Sequence, residues 1–525
     1  MINTILQSKL WHKNNDIAVR GYCFNNENNF YEGEKLLQLF ASVKNENDFY
    51  QLLQSINGIF SVVVQIGDCL FAASDKSRVT PLFYSSDNEI FSISDNPYNL
   101  LSENPKIDKE AAQEFLLSTF MLDEKTLIDG VFQIKASTYL CFENGKINQK
   151  EYYSYCVKES EINKSQTLEE DFSAVLENTF HRLIKSANGR QIVVPLSGGY
   201  DSRLIAAMLK KLDYPNVVCY TVGRENNSEY LIAKEVAQSL GYPYHFIFTG
   251  DNKFVENYTE DETFLRYYKF SGSFFQSFWM YEYFGVKYLK ENDLIERDAI
   301  FVPGHSGDFL AGSQTTKMNI LENDSKKQLE RKIDKYLFVF GKSKQKHRTK
   351  ISQRIDYQKD YIVYSVLDDF LLKSRLSYRP NNATRLYEFF GYDLRLPFWD
   401  NEMLEFFRTL PPNLKYNKLL YDNYLKNKLF SAYNINYEKE LQVEHKKSLL
   451  KPVKDFIKPF MPKFVLRSVS KYQDDTCMKE ISAPLLLDLK KRNIKLNTIQ
   501  INEVFSVWYL MRIKEDLKMT ISPKS

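Results

Sequence analysis

At Val193-Val194-Pro195-Leu196-Ser197-Gly198-Gly199-Tyr200-Asp201-Ser202-Arg203 an apolar run ends in a small polar loop, and a helical pattern follows at once. This order predicts a strand, a glycine-rich turn and a helix start, which together direct backbone N–H groups and a helix dipole at one point. We therefore predict a phosphate site here, with the hydroxyls of Ser197 and Ser202 as further donors. Asp201 indicates a cation that bridges to the phosphates, because a carboxylate alone would repel them. An ordinary β-α turn is the alternative, since glycine and serine are common in turns.

The composition is that of a soluble globular protein with more than one domain. The chain has 525 residues, of which 43% are hydrophobic and 26% charged, and its net charge of +3 gives no argument for a nucleic-acid partner. Its cysteines are far apart and form no CxxC pair, which argues against a standard zinc site. No apolar run of about 18 residues or more is present, so we expect no signal peptide, no transmembrane segment and a cytoplasmic protein.

The stretch Ser197-Gly198-Gly199-Tyr200-Asp201-Ser202 resembles the SGGxDS pyrophosphate loop (PP-loop) of the ATP-pyrophosphatase family, specifically that of asparagine synthetases and β-lactam synthetases. Enzymes with this loop split ATP between its α and β phosphates and transfer AMP to a substrate oxygen. The resemblance implies that ATP is bound by Pro195, Ser197, Gly198, Gly199, Asp201 and Ser202. A Walker A loop would need a terminal Gly-Lys-Ser/Thr, and a Rossmann fingerprint a third spaced glycine. Neither pattern fits.

Strands and helices alternate around this loop, which predicts a doubly wound parallel sheet with its ligands at the carboxyl ends of the strands. The predicted strands are 217–223, 243–248 and 299–302, and the predicted helices are 168–187, 229–240 and 274–290.

Residues 1–155 consist mostly of predicted strands, with a helical interval over 34–56. The segments 57–60 and 74–84 resemble the N-terminal glutaminase domain of asparagine synthetases, which implies an Ntn-type α/β/β/α sandwich. Working glutaminases of this class use a cysteine directly after the initiator methionine. Here the chain begins Met1-Ile2-Asn3, and Cys23 lies inside the domain. We therefore predict a degenerate domain that does not hydrolyse glutamine.

A second glycine-rich loop, Pro303-Gly304-His305-Ser306-Gly307-Asp308, follows the fourth strand and resembles the SGEGSDExFGG motif of the family. The register implies that Gly304 contacts the nucleotide and that Asp308 holds Mg²⁺ together with Asp201. His305 falls where the family has a glutamate that takes a proton from the attacking amine, although it could instead only contact the backbone or the substrate. Phe309 and Gln314 depart from the motif, so the acceptor pocket has changed.

Further roles rest on the resemblance alone. The backbone near Val222 would read the adenine edge, and Glu229 matches an acidic position beyond it. Lys446 or Lys447 would stand over the phosphates, although each could equally be an ordinary surface lysine. The stretch 385–400 resembles the family's EARxPFLD segment, in which Asp393 and Arg395 could pair.

The sequence thus predicts a glutaminase-like domain (1–155), a linker (156–170) and a PP-loop synthetase domain (171–525) with a helical C-terminal part. The predicted activity is an ATP-dependent, AMP-forming ligase that joins a small-molecule carboxylate to ammonia or an amine. Ammonia would come from solution or from a separate glutaminase. The acceptor stays open between aspartate, a uronic acid and an amino acid that closes its own ring. The alternatives are a non-catalytic binding or scaffold protein with a decayed synthetase domain, and a tRNA sulfur transferase, for which the cysteines and basic surface are missing.

Overall fold

The protein is described by a computed structural model over residues 1–87, 90–225, 227–437, 476–496 and 500–521. The strands of its N-terminal part are β1 (Ile2–Ile5), β2 (His12–Lys13), β3 (Ile17–Phe24), β4 (Phe30–Glu32), β5 (Asn57–Ile66), β6 (Cys69–Ser74), β7 (Phe83–Asp87), β8 (Ile90–Ser94), β9 (Phe132–Gln133), β10 (Thr138–Glu143) and β11 (Lys146–Glu151). The helices of this part are α1 (Glu34–Phe40), α2 (Glu46–Ser55) and α3 (Lys109–Ser118).

These strands form two stacked sheets. The larger has the order β11-β10-β6-β5-β3-β2, with β4 beside β3, and the smaller has the order β1-β8-β7-β9. Alternate side chains of β7 face opposite ways: Tyr84 belongs to the core between the sheets, whereas Phe83 belongs to the main core with Phe115 of α3. Side chains of α1 and α2 cover the outer face of the larger sheet. The layers follow the predicted helix–sheet–sheet–helix order.

The second part is built on a parallel sheet and many helices. Its strands are β12 (Ile192–Pro195), β13 (Val217–Gly223), β14 (Tyr244–Phe248), β15 (Ile300–Phe301) and β16 (Asp393–Leu394). The helices up to β15 are α4 (Leu168–Ala187), α5 (Tyr200–Lys211), α6 (Ser228–Leu240), α7 (Asn252–Val255), α8 (Glu262–Gly272) and α9 (Tyr283–Glu291).

The later helices make up most of the C-terminal half. They are α10 (Gly307–Leu310), α11 (Ser313–Lys317), α12 (Lys326–Leu337), α13 (Gln345–Arg354), α14 (Val363–Leu371), α15 (Pro380–Ala383), α16 (Arg385–Phe389), α17 (Asn401–Arg408), α18 (Pro412–Lys415), α19 (Leu419–Tyr424), α20 (Met478–Lys491) and α21 (Ile501–Ile521). Two π-helical stretches, Leu372–Leu376 and Leu425–Phe430, continue α14 and α19. The predicted fold class, a sandwich followed by a doubly wound sheet and a helical C-terminal part, is confirmed.

The order of the parallel sheet, β14-β13-β12-β15-β16, determines where a ligand can bind. From β12 the chain moves outward through β13 to β14, and then returns to the other side of β12 as β15. Beyond the carboxyl ends of β12 and β15 the connections diverge and leave a crevice, the usual ligand site of such sheets. Both glycine-rich loops follow these two strands.

One predicted helix is wrong over its first half. Helix α9 begins at Tyr283, whereas the periodicity predicted a helix from residue 274. Residues 274–277 instead pair with the N-terminal part: Met121 N donates to Phe275 O at 2.7 Å, and Ser277 N donates to Thr119 O at 2.9 Å. These tertiary hydrogen bonds replace the helical ones, so pairing with the N-terminal part overrides the local pattern.

The suggested pair of Asp393 and Arg395 is not formed. Asp393 binds Arg190 at 2.7 Å, and Arg395 binds Glu32 of the N-terminal part at 2.9 Å. The Arg395 guanidinium also lies 4.0 Å from the ring centre of Tyr22. Because Arg395 is turned toward the N-terminal sheets, it braces the contact between the two parts of the chain.

Part of the charged region 313–360 pairs with the N-terminal part of the chain. Lys350 on α13 lies 2.8 Å from Glu114 and 2.9 Å from Asp123, both in the N-terminal part. The basic stretch 451–471 lies outside the described residues. Within the described ranges, no helix is both long and apolar enough to cross a membrane.

Candidate functional site

A cavity of about 960 Å³ opens at the carboxyl ends of β12 and β15. The sequence-predicted site residues that line it are Pro195, Ser197, Gly198, Gly199, Asp201, Ser202, Gly304, His305 and Asp308, together with the acidic Glu229. The two loops, about a hundred residues apart in the chain, therefore meet around a single space.

The PP-loop is held by its own hydroxyls at the start of α5. Ser197 N donates to Ser202 Oγ at 3.0 Å, and Gly199 N donates to Ser197 Oγ at 3.2 Å. Gly199 occupies the N-cap position of α5, and among the described residues no side chain accepts from the first-turn N–H groups of this helix. These uncapped donors and the positive end of the helix dipole suit an anion.

Arg203 holds the PP-loop in place from the buried side. Its guanidinium is fully buried and donates to Gly198 O, Ile435 O and Tyr437 O, each at 3.0 Å. Burial keeps this arginine away from the cavity, so its role is to tie the loop to the segment that ends at Tyr437.

The two loops touch backbone to backbone. A Cβ atom at Gly304 would lie 2.6 Å from Ser202 N, and one at Gly307 would lie 2.7 Å from Asp201 Cγ. No side chain fits at either distance, so glycine is required at both positions. Asp308 N then donates to Asp201 Oδ2 at 2.7 Å, which places the two aspartates side by side.

This arrangement makes the Asp201 carboxyl unusually basic. Loss of water and the charge of Asp308 together raise its pKa to about 7, although the hydrogen bonds from Tyr421, at 2.8 Å, and from Asp308 N oppose the rise. A divalent cation between the two carboxylates would relieve their repulsion.

The donor set fits Mg²⁺ carried on phosphates. Within the described residues, no group of three or more His, Cys, Asp or Glu side chains could enclose a metal ion. Mg²⁺ is commonly held by one or two carboxylates plus substrate phosphates and waters, and Asp201 and Asp308 supply the carboxylates. Each Asp201 oxygen accepts one hydrogen bond, which leaves further lone pairs for a cation.

His305 is neutral and a weak base in this cavity. Burial lowers its pKa to about 4, although the nearby Asp308 raises it. Its Nδ1 atom is buried and has no hydrogen-bond partner among the described residues. The imidazole can therefore hydrogen-bond a substrate, but at neutral pH it accepts protons weakly.

Val222, another predicted site residue, is not among the residues that line the cavity. The Val222 side chain is buried in β13, and a Cβ at Gly285 of α9 would lie 2.3 Å from its Cγ1 atom. Lys446 and Lys447 lie outside the described residues. The described residues on either side of that stretch, Tyr437 and Thr476, do line the cavity.

Two lysines that the sequence did not single out lie in the cavity. Lys418 Nζ and Lys426 Nζ are 5.6 and 5.8 Å from the ring centre of Tyr200, and Lys418 pairs with Asp422 at 3.2 Å. Lys418 follows the change of backbone direction at Asn417, where both residues have positive φ. This turn, which a sequence pattern does not reveal, aims the lysine at the PP-loop.

The sequence also did not predict that one side of the cavity is lined by aromatic and acidic side chains. Trp279, Tyr281 and Glu282 line the cavity, and all lie in or next to the segment that was predicted to be helical. Non-helical backbone before Tyr283 is what delivers these side chains to the cavity.

Comparisons with known proteins agree with this geometry. The asparagine synthase family model matches residues 174–453, just over half of the chain, and the glutamine amidotransferase domain model matches residues 32–153. A probable glutamine-hydrolysing asparagine synthetase of Acanthamoeba polyphaga mimivirus is 27% identical over 219 residues, which cover 41% of this chain. The match covers only 38% of that relative's own length.

A solved structure, the B. subtilis glutamine phosphoribosylpyrophosphate amidotransferase in complex with ADP and GMP, covers 58% of this chain and 58% of its own. Its sequence identity is 10% and its TM-score 0.18, so this likeness carries no argument. The family match rests on the span that holds both glycine-rich loops. The chain belongs to the asparagine synthase family.

Proposed function

We propose that this protein activates a carboxylate with ATP, releases pyrophosphate, and passes the acyl group from AMP to ammonia or an amine. The observation that carries the proposal is the contact between the PP-loop and Asp308. This contact lies between β12 and β15, where the strand order of the parallel sheet reverses. That point presents uncapped N–H groups, two hydroxyls and two carboxylates to one cavity.

The loop residues divide the work of binding ATP. The loop backbone at Gly198 and Gly199, the first-turn N–H groups of α5 and the hydroxyls of Ser197 and Ser202 would hold the pyrophosphate portion. Pro195 and Gly304 would line the nucleotide, and the Val222 backbone would read the adenine edge. Lys418 and Lys426 add positive charge over Tyr200, while contact of Lys446 or Lys447 with phosphate stays a prediction.

Asp201 and Asp308 would hold Mg²⁺ against the phosphates. When bound, this ion supplies positive charge that neutralises the departing pyrophosphate. His305 would receive or relay a proton from the amine, and its buried Nδ1 would need a substrate or water as hydrogen-bond partner. Changes in the second loop favour an acceptor other than aspartate.

Acid-dependent exchange of labelled pyrophosphate into ATP tests the adenylation step. We expect exchange only with ATP, Mg²⁺ and a suitable acid from a panel of aspartate, uronic acids and amino acids. ATP binding without exchange across the whole panel would contradict a ligase and favour the binding or scaffold protein.

The N-terminal part is proposed to lack glutaminase activity. Burial raises the pKa of the Cys23 thiol to about 12 and that of Cys141 to about 11, and burial together with Glu143 raises that of Cys69. A nucleophilic cysteine needs a lowered pKa, which none of these three has.

We therefore expect no glutamate release above the buffer rate when the protein is incubated with glutamine, with or without ATP and acceptor. Cys23→Ala should leave amide formation unchanged. Ammonium chloride should support amide formation where glutamine does not. Glutamate production that is coupled to ATP use would overturn this proposal.

A further inference from the structure

Glu282 is a carboxylate in the proposed active site that has no cationic partner among the described residues. It is half-buried, occupies the N-cap position of α9 without a side-chain capping hydrogen bond, and lines the cavity. Its Oε2 atom accepts from the Tyr387 hydroxyl at 2.5 Å and from the Tyr220 hydroxyl at 3.5 Å. Among the described residues, no lysine, arginine or histidine acts on its charge.

An acid in this position is costly unless a ligand compensates for it. Burial raises the pKa of Glu282 to about 7, although the hydrogen bonds from Tyr387 and Tyr220 oppose the rise. The lysines of the same cavity, Lys418 and Lys426, stand over Tyr200 instead. A carboxyl poised near neutral pH within a cleft is typical of a functional group.

Two aromatic residues close to Glu282 in the chain, Trp279 and Tyr281, line the same cavity. The rings of Trp279 and Tyr281 are 6.4 Å apart and inclined at 65°. Trp279 is fixed through its backbone, because Trp279 O accepts from Tyr267 at 2.5 Å and Trp279 N donates to Ser271 Oγ at 3.3 Å. An aromatic face beside a carboxylate is the chemistry that binds an ammonium group.

We propose that Glu282, with Trp279 and Tyr281, forms the subsite for the ammonium group of an organic amine substrate, and that Glu282 accepts the proton that makes this amine nucleophilic. The proposal rests on the proposed ligase function and narrows its nitrogen donor from free ammonia to a carbon-bearing amine, whose apolar part would lie on the aromatic rings.

The chemistry balances within the proposed reaction. A proton passes from the ammonium nitrogen to the Glu282 carboxylate, which leaves a lone pair on nitrogen. That pair forms the C–N bond to the acyl carbon, while the bond from this carbon to the phosphate oxygen breaks and AMP leaves with its electrons. The second proton of the nitrogen then passes to the AMP phosphate or to water.

Glu282 suits this role better than His305. A general base works best when its pKa lies near the working pH. The pKa of Glu282 is about 7, whereas that of His305 is about 4. His305 would then position the acceptor or the amine by a hydrogen bond.

The groups that face Glu282 do not titrate near pH 7. They are Tyr220 on β13 and Tyr387 on α16, and burial raises the pKa of both phenols far above the usual range. Other charged groups line the same cavity, namely Asp201, Glu229, Asp308, Lys418, Asp422 and Lys426. Comparing wild-type and variant pH profiles separates the contribution of Glu282 from theirs.

The test compares Glu282→Gln with Glu291→Gln, an exposed glutamate at the other end of α9. Each protein is given ATP, Mg²⁺ and an acid that supports exchange, and then butylamine, ammonium chloride or hydroxylamine. We expect wild type to prefer butylamine over ammonium. Glu282→Gln should keep pyrophosphate exchange and hydroxamate formation, because hydroxylamine is largely neutral at pH 7, but should lose about 100-fold in butylamide formation. Glu291→Gln should behave as wild type.

The pH profile gives an independent readout. Wild-type butylamide formation should rise with pH through a midpoint near 7, since the ionised Glu282 is the active form, and this rise should be absent in Glu282→Gln. If that variant does not fold, Tyr387→Phe still serves. The Tyr387 hydrogen bond lowers the Glu282 pKa, so its removal in Tyr387→Phe should move the midpoint of the pH profile upward.

Three outcomes would overturn the subsite: equal loss of exchange and amide formation in Glu282→Gln, unchanged amide formation in that variant, or an unmoved midpoint in Tyr387→Phe. If wild type exchanges pyrophosphate with none of the acids in the panel, the proposed function itself is refuted, whatever Glu282 does.

Discussion

Replacing Asp201 with asparagine should reduce acid-dependent pyrophosphate exchange by at least about 100-fold, the scale of removing one preorganised electrostatic group from a reaction centre. Asparagine has the shape of aspartate and can still accept one hydrogen bond where Asp308 N and Tyr421 now donate. What it lacks is the charge that would hold Mg²⁺ beside the phosphates. The initial exchange rate at saturating ATP, followed over a Mg²⁺ titration, measures the loss.

The matched control is Tyr421→Phe, which removes one donor to Asp201 and leaves the carboxylate. Its exchange should fall far less than that of Asp201→Asn. ATP binding should depend on Mg²⁺ in wild type and lose that dependence in Asp201→Asn. Equal Mg²⁺ dependence in the two proteins would show that Asp201 does not hold the metal.

A stability measurement separates the electrostatic role of Asp201 from a structural one. Its folded-state pKa, about 7, lies above the usual 3.8. The folded protein therefore keeps a proton that the unfolded chain has released, and this residue's contribution to stability falls as pH rises from about 4 to 7. Without Mg²⁺ at pH 8, Asp201→Asn should melt no lower than wild type. A clear drop in Tm would mean that its loss of exchange reflects misfolding.

The parts of the fold that depend on local sequence could be predicted. The predicted helix 168–187 coincides with α4, and the predicted strand 217–223 with β13, because each has a periodic apolar pattern between clear ends. The PP-loop was predictable for the same reason, since its donors, glycines and Asp201 lie within a few consecutive residues.

The missed features depend on contacts distant in sequence. Residues 274–277 form backbone hydrogen bonds with the N-terminal part, and no pattern within these residues predicts that pairing. Glu282 was missed because it follows this segment and meets its tyrosines, Tyr220 and Tyr387, from two separate elements. Lys418 likewise reaches the cavity only through the turn at Asn417. A short stretch of sequence does not indicate such long-range contacts.

The same pairing suggests a structural role for the glutaminase-like N-terminal part. Arg78 is fully buried, donates to Ile134 O at 2.8 Å, and lies 4.5 Å from the ring centre of Phe275 and 4.9 Å from that of Tyr378. It thus stands at the contact between the N-terminal sheets and the segment that leads to Glu282. In this view the N-terminal part is a support for one wall of the synthetase cavity.

Arg78→Ala should accordingly destabilise the protein by about 3–5 kcal/mol, because it leaves a cavity among aromatic rings and buried oxygens without donors. For a chain of this length the expected fall in Tm is about 3–5 °C. The Tm of Arg78→Lys should lie between that of Arg78→Ala and that of wild type, since an ammonium keeps the charge but lacks the planar guanidinium. Lys9→Ala, an exposed change in the same part, should melt like wild type.

Activity distinguishes support of the cavity wall from general stability. Phe275 lies seven residues before Glu282 and far along the chain from the PP-loop, so loosening it should disturb the amine side of the cavity first. At a temperature where Arg78→Ala is folded, we expect amide formation to fall more than pyrophosphate exchange. Equal losses in both reactions would show that the N-terminal part stabilises the whole synthetase, and unchanged reactions with an unchanged Tm would show that Arg78 supports neither. A selective loss of amide formation would mean that the glutaminase-like N-terminal part serves the nitrogen step, by shaping where the amine binds.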